Sequence, residues 1–343
     1  MKTKRKKQLR IAVLVQHDLI PPDTLEGLSE AETVRIKTEF DVVSTLKAAG
    51  HDVRPVGIYD DLNTINKAIE EHRPHVAFNL IEEFDSYPLF DQHVVSFLEL
   101  KRQKYTGCNP RGLTLSRDKA LTKKILAYHR IHVPEFAVFA RNRKVYRPKR
   151  LKFPLLVKSL TAEGSAGIAQ SSIVRDDEKL VERVEFIHRQ TNSPAIAEQY
   201  IEGREIYLGL LGNHRVQTYT PWELLMEKLP EGAANIATSK VKWSPKYQEK
   251  VGLVTRAAEL TPEQKRQLEH LSRRIYRLLM LSGYARLDYR MTDDGKFYLL
   301  EANPNPNIAH KDDFADSAEA SGIPYPQLLQ KLMTLGMSYD PMQ

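Results

Sequence analysis

"YARLDYRMTDDGKFYLLEANPNPN", residues 284–307, reads as two strands joined by a tight turn. Asp294-Gly295 is the strongest short hairpin signal, because a type I′ turn needs positive φ at both central residues. With those two residues as the loop, positions whose numbers sum to 589 face one another, so Asp288 opposes Glu301 and Arg286 opposes Asn303. All four then share one face by the two-residue period of a strand. The other face carries Ala285, Leu287, Tyr289 and Met291 against Tyr298, Leu300 and Ala302, which reads as the core side. Carboxylates directly opposed at about 5 Å destabilise a plain sheet. The pairing therefore implies positive charge between them. Two sources are open: Arg286 and Arg290 closing a salt-bridged surface, or a hard divalent cation held by Asp288, Glu301 and the carbonyl oxygen of Asn303.

The rest of the chain sets bounds. Its 343 residues are too many for one small core, and apolar and charged fractions of 41% and 28% are those of a soluble globular protein. The single Cys108 excludes an intrachain disulfide, fits a reducing compartment, and reads as a small packed residue. "MKTKRKKQLRIAVLVQHD" imitates a signal peptide, but its apolar run Ile11–Val15 is too short and no cleavage site follows. No run approaches the length of a membrane span, so a cytoplasmic location is expected. The net charge of +7 sits largely in Lys2–Arg10 and in 141–152, neither interleaved with aromatics, which argues against nucleic acid and suits an anionic substrate such as a nucleoside triphosphate.

Strands and helices alternate through the first hundred residues: strands at Arg10–Val15, "HDVRPVGIY" and "PHVAFNL", and a helix opened by the Ser29–Glu32 capping box and ended by Gly50. That order predicts a parallel sheet with helices on its faces, and no glycine fingerprint follows the first strand. A helix at Arg117–Arg130 with Ser116 as its cap opens a second unit, followed by strands "VPEFAVFA", "FPLLVKSL" and "IAQSSIV" and a helix from Asp176. Residues 222–260 read as a long irregular loop, the kind that serves as a lid. "TPEQ" then starts a helix with Thr261 as cap and Pro262 at its first position. The pairs "HRPH" and "HRIH" lack supporting cysteines and read as structural rather than as zinc sites.

Two further pieces bear on chemistry. Lys158 ends an apolar strand and precedes "TAEGSAG", whose small residues free backbone amides to cradle phosphates while a buried lysine supplies a point charge. "AEQYIEGRE" places Glu198 at a strand end and Glu205 after a glycine-containing turn, where an acid beside a backbone amide suits an adenine or ribose; an edge-strand acid is the plain alternative.

In this order the pieces resemble the ATP-grasp superfamily, and most closely its D-alanine–D-alanine ligase branch, over almost the whole chain and most weakly before residue 75. The resemblance implies an α/β fold (α+β in the ATP-grasp part) of three domains: 1–115, 116–197 and 198–343. It implies Lys119 and Lys158 as ATP-binding lysines and Glu163, Gly164, Ser165, Ala166 and Gly167 as the loop over the phosphates. Glu198 falls where the family meets the adenine amino group, Gln199 and Tyr200 in the same nucleotide-binding segment, Ile201 at the hinge, Glu205 on the ribose, and Lys242 of "SKVKW" on the mobile loop. Asp288, Glu301 and Asn303 match the ligands of two Mg²⁺ ions, a site that also suits Mn²⁺. Arg286, Lys242 and an amide of the Asn303–Asn307 turn are then the catalytic candidates. A homodimer is the family's habit.

The departures concern substrate. Where the family carries a Gly- and Ser-containing segment after its metal asparagine, this chain reads Pro304–Lys311, and the loops after the first and third strands become "QHDLIPPDTLEGLSE" and "IEEFDSYP". Glu82, Glu83 and Asp85 would give one substrate an acidic rim. The expected activity is Mg-ATP-dependent amide formation between amino acids or short peptides through an acyl phosphate, with substrates other than D-alanine. An ATP-dependent small-molecule kinase and a non-catalytic nucleotide-binding module are the rivals.

Overall fold

The computed structural model describes residues 8–162, 167–230 and 232–342, the side chain of Trp243 excepted. Three sheets follow one another along the chain. The first is parallel, with β1 (Arg10–Gln16) central between β2 (Asp52–Ile58) and β3 (Val76–Asn79). Pro55 is tolerated because β2 is an edge strand. Alternate residues of β1 feed two cores: Ala12 and Leu14 pack toward the helix Asp91–Leu100, while Ile11, Val13 and Val15 meet the helices Lys37–Ala48 and Tyr325–Ser338. The last helix thus returns to the first sheet. It comes so close that a Cβ on Gly336 would stand 2.2 Å from the Tyr105 carbonyl oxygen.

The second sheet is antiparallel, in the order β4 (Phe136–Phe139), β7 (Ala195–Gln199), β5 (Leu155–Ser159), β6 (Ile173–Val174). The third runs β11 (Leu253–Ala257), β10 (Trp222–Met226), β8 (Arg204–Leu211), β12 (Tyr284–Met291), β13 (Phe297–Pro304), with β9 (Gln217–Thr218) on β8. Behind it lies the helix Pro262–Leu278, started by the expected Thr261–Gln264 capping box. Leu268, Ile275 and Tyr276 of that helix pack on Leu208, Leu287 and Tyr289.

Several expectations are corrected. The Ser29–Glu32 capping box is present, but the helix it opens breaks at Ile36 before resuming at Lys37. The helix expected at Arg117–Arg130 runs over Lys119–Tyr128 and is capped by Asp118, not Ser116; a separate helix, Pro110–Arg117, capped by Asn109, precedes it. Asp118 accepts from the Ala120 and Leu121 amides, whereas Ser116 is buried. "IAQSSIV" keeps only Ile173–Val174 as strand, because Gln170–Ser172 turn as a 3₁₀ segment. Residues 222–260 are not one loop: β10, helices Ser239–Trp243 and Pro245–Val251, and β11 account for much of them. Among the described residues no helix is long and apolar enough to cross a membrane.

Candidate active site

The β12–β13 hairpin sets Asp288 opposite Glu301 and Arg286 opposite Asn303, as its sequence predicts, but by another route. The loop has three residues rather than two: Thr292 pairs with Lys296, and Gly295 alone takes positive φ, at +78°. A three-residue loop closing on a left-handed glycine suits the same Asp-Gly pair. The extra residue would shift the register by one, and a bulge at Leu300 shifts it back, since Tyr289 already pairs with Leu299. The core face of β13 is accordingly Phe297, Leu299 and Ala302, not Tyr298 and Leu300. The bulge also frees the Leu300 carbonyl, which accepts from Lys123 Nζ at 2.7 Å.

Arg286 grips Asp288 with two parallel hydrogen bonds, Nε to Oδ1 at 2.8 Å and Nη2 to Oδ2 at 3.0 Å, and its guanidinium lies 4.6 Å from the centre of the Tyr207 ring. The Asn303 side-chain nitrogen donates to Asp288 Oδ2 at 2.9 Å, so its oxygen reaches a cation only after the amide is turned over. Glu301 takes the other direction: Lys119 Nζ stands 2.9 Å away and also donates to the Ala162 carbonyl at 2.8 Å. The two opposed acids are driven apart in pKa. Burial, with Glu301 beside it, pushes Asp288 up against the pull of Arg286. Burial alone would raise Glu301 too, but Lys119, Lys158 and Lys242 outweigh it and hold Glu301 well below the usual carboxylate range. Asp288 and Glu301 offer carboxylate oxygens, and Asn303 an amide oxygen once turned, a set that suits a hard cation.

The second sheet supplies the opposite wall. Lys158 on β5 pairs in register with Ile196, which puts Glu198, two residues on, at a diagonal position on the same face and within reach of a long side chain. Lys158 Nζ is 3.2 Å from Glu198 Oε2, and Lys123 Nζ is 3.1 Å from Oε1. Burial disfavours the Lys158 ammonium, yet Glu198 and Glu301 keep its pKa above the ordinary lysine range. Lys123 was not among the sequence candidates. Its signal was its place four residues after Lys119, which puts both lysines on one face of the helix Lys119–Tyr128. From that face the helix clamps the two sheets together, Lys119 to β13 and Lys123 to β7 and β13. Lys123 and Glu198 are each 1% exposed, so removing Lys123 leaves a buried carboxylate with half of its compensation, Lys158 alone. Lys123→Met is expected to cost about 3–5 kcal/mol in urea unfolding; a loss below about 1 kcal/mol would mean that Lys158 alone satisfies Glu198.

Gln199 is exposed, Tyr200 half-buried and Ile201 buried at the hinge between β7 and β8. Glu205 faces the same side as Asp288, and both its oxygens are engaged, by Arg290 at 2.9 Å and by the Tyr207 hydroxyl at 2.8 Å. Asp313, a carboxylate the sequence did not single out, lies close enough to Arg286 to interact with it and is pushed up by burial. Glu163, Gly164, Ser165 and Ala166 lie outside the described residues; Gly167 follows them with φ of +70°, its carbonyl accepting from Arg183. Asn307 holds its own turn, its side-chain oxygen accepting from the Thr38 hydroxyl at 2.9 Å and the Ala309 amide at 2.8 Å. Pro304 and Pro306 have no N–H and the Asn305 amide bonds the Tyr284 carbonyl, so Asn307 carries the remaining amide of that turn. Glu82 and Glu83 line a cavity beside it; Asp85 is exposed and does not.

Two antiparallel sheets joined through the helix Lys119–Tyr128, one carrying the buried pair Lys158 and Glu198 and the other an acid hairpin, define the class: an ATP-grasp enzyme. The model of the D-Ala–D-Ala ligase C-terminus matches residues 125–334, and the chain belongs to that family. It is 29% identical over 312 residues to the D-alanine–D-alanine ligase of Nitratidesulfovibrio vulgaris, covering 91% of this chain and 96% of the relative. It is also 28% identical over 259 residues to the uncharacterized protein y4sG of Sinorhizobium fredii, covering 75% and 73%. The Bacillus anthracis D-alanine–D-alanine ligase crystallised with ATP shares the fold, with a TM-score of 0.74 at 22% identity over 97% of this chain and 98% of that one.

Proposed function

We propose that the protein is an ATP-dependent ligase that joins the carboxylate of one amino acid or short peptide to the amine of another. The observation that carries this is the convergence of Arg286, Lys119, Lys158 and Lys242 on the opposed pair Asp288 and Glu301. That much positive charge around two acids suits a triphosphate tail with Mg²⁺, which Asp288, Glu301 and Asn303 would hold as two ions. Magnesium there supplies Lewis-acid charge stabilisation on the transferring phosphoryl oxygens. Lys119, Lys158 and Lys242 draw charge from the same oxygens, so that a substrate carboxylate beside the Asn303–Asn307 turn attacks the γ-phosphorus in line, the bond to the β,γ-bridging oxygen breaks, and ADP departs, giving an acyl phosphate. The amine then adds to the acyl carbon; Arg286 and the Asn307 amide hold the oxyanion until phosphate departs. Glu198 orients Lys158 beneath the nucleotide, and Glu205 sits toward the ribose.

Water exclusion rests on contacts already made. The Gln170 side chain donates to the Ala234 carbonyl and accepts from the Ala234 amide, both at 2.9 Å, and the Ser239 amide donates to the Ile168 carbonyl at 3.0 Å. These bonds tie the 227–238 loop to the segment after the phosphate loop. Gln170→Ala removes two of them, about 2 kcal/mol together. Expected is a several-fold rise in ADP release without the amine, with slower amide formation; unchanged coupling would remove the latch.

The substrates we assign are other than a pair of D-alanines, on the altered Pro304–Lys311 segment, which is fixed to the helix Lys37–Ala48 through Thr38 and Asp41. The test is ADP release with Mg-ATP over paired amino acids and dipeptides, with mass spectrometry of the product. Release that needs both an acid and an amine supports the ligase. A stable phosphorylated product formed without amine would make the protein a kinase.

A further inference from the structure

A cavity of about 530 Å³ opens where β1 and β3 end and is floored by Asn305–Ile308, the run that begins two residues beyond Asn303. The C-terminal edge of a parallel sheet is where α/β proteins place ligands, and the floor ties this space to the hairpin. Its volume falls in the range of sites for drug-sized ligands, well beyond what an alanine fills.

Its polar wall carries several carboxylates and one cation among the described residues. Glu39, on the helix Lys37–Ala48, is only 6% exposed and has no ion pair or hydrogen bond to another residue's side chain among the described residues. Burial, with Glu82 and Asp18 nearby, pushes its carboxyl up to about 7. Gln16, the last residue of β1, is 8% exposed, and its Oε1 is buried without a partner. Glu83 adds a further carboxylate to the lining. Among the described residues the one cation in the lining, Arg35, is committed to Asp18. A buried carboxylate bonded by its own backbone amide alone and a buried amide oxygen with no partner among the described residues line one space, and an ammonium brings three N–H donors with a compensating charge. Glu39 and Glu83 together outnumber a single α-ammonium.

We propose that this cavity binds a substrate carrying a second cationic nitrogen, a basic amino acid or a short peptide bearing one, with that nitrogen between Glu39 and Gln16. The substrate assignment rests on the ligase reading; the cation site does not. Calorimetric titration of the full chain with both enantiomers of lysine, ornithine and arginine, against norleucine and alanine, tests it. At least one basic amino acid is expected to bind about tenfold tighter than norleucine, and Glu39→Gln to cut that ratio severalfold while leaving norleucine unchanged. Should Glu39→Gln fail to fold by circular dichroism, Glu83→Gln, nearer the rim, is expected to lower the same ratio. Norleucine or alanine binding as well as every basic amino acid, no basic amino acid binding, or a ratio indifferent to the Glu39 or Glu83 change would overturn the inference. ADP release separates the two readings. Turnover of a neutral pair in preference to basic ones overturns the cation site and keeps the ligase. Selective lysine binding with no ADP release from any pair overturns the ligase and keeps the site.

Discussion

Glu301→Gln is expected to lower amide formation at least about 10³-fold while leaving the fold intact and a metal-free triphosphate bound at least as tightly as before. The reasoning follows from charge. Glu301 is the acid that Lys119, Lys158 and Lys242 surround, and its carboxylate stays ionised because of them. An anionic triphosphate competes with that carboxylate for the lysines, so neutralising it removes a repulsion. A divalent cation needs the same carboxylate as a ligand, so the metal-dependent part of binding should fall. The diagnostic measurement is therefore nucleotide affinity with and without Mg²⁺, in both proteins, beside the rate. Wild-type protein should gain affinity on adding the metal; the variant should gain little. The glutamine keeps the shape and a hydrogen-bonding oxygen beside Lys119, which guards against the cost of leaving buried lysines wholly unpaired. An unchanged rate, or an unchanged response to magnesium, would take the hairpin out of the chemistry.

How far the sequence foretells this site depends on the range of the forces that build each part. The register of the hairpin follows from alternation, yet the loop and the bulge each depart from the simple reading by one residue in opposite senses. Asp-Gly is compatible with both loop types, so the local signal could not choose between them, and the bulge answers to Lys123, far away in sequence. Lys119 and Lys158 were legible through motif order. Lys123 was not, because a lysine on an amphipathic helix ordinarily turns to water, and only the approach of Glu198 from another sheet makes burial tolerable. The caps show the same contrast: Thr261 and Ser29 act within four residues and were read correctly. Ser116 reads as a cap from sequence, whereas Asp118 caps the helix because a second helix, whose start Asn109-Pro110 marks, runs up to Arg117. The lid region reads as irregular in sequence because β10 and β11 are short and take their stability from pairing with each other and with β8.

Arg286→Lys should keep the charge and lose the function. Both nitrogens that meet Asp288 belong to one rigid fork, and the same plane packs over Tyr207, whose hydroxyl is in turn held by Glu205. The guanidinium is thus fixed along its edge by Asp288 and over its plane by Tyr207 before any substrate arrives. An ammonium on a flexible stem can satisfy Asp288 with one bond but cannot reproduce the second or the stacking. If Arg286 stabilises charge that develops on the acyl oxygen, the loss appears in kcat, about 10²–10³-fold, with the KM for ATP changed less than about threefold. If it served only to hold Asp288 in place for the metal, the variant would resemble Asp288→Asn, with weakened magnesium dependence and a raised KM for Mg-ATP. Measuring kcat and KM for ATP across a magnesium series in both variants decides between these roles. A kcat within about threefold of wild type in Arg286→Lys would exclude the first of them.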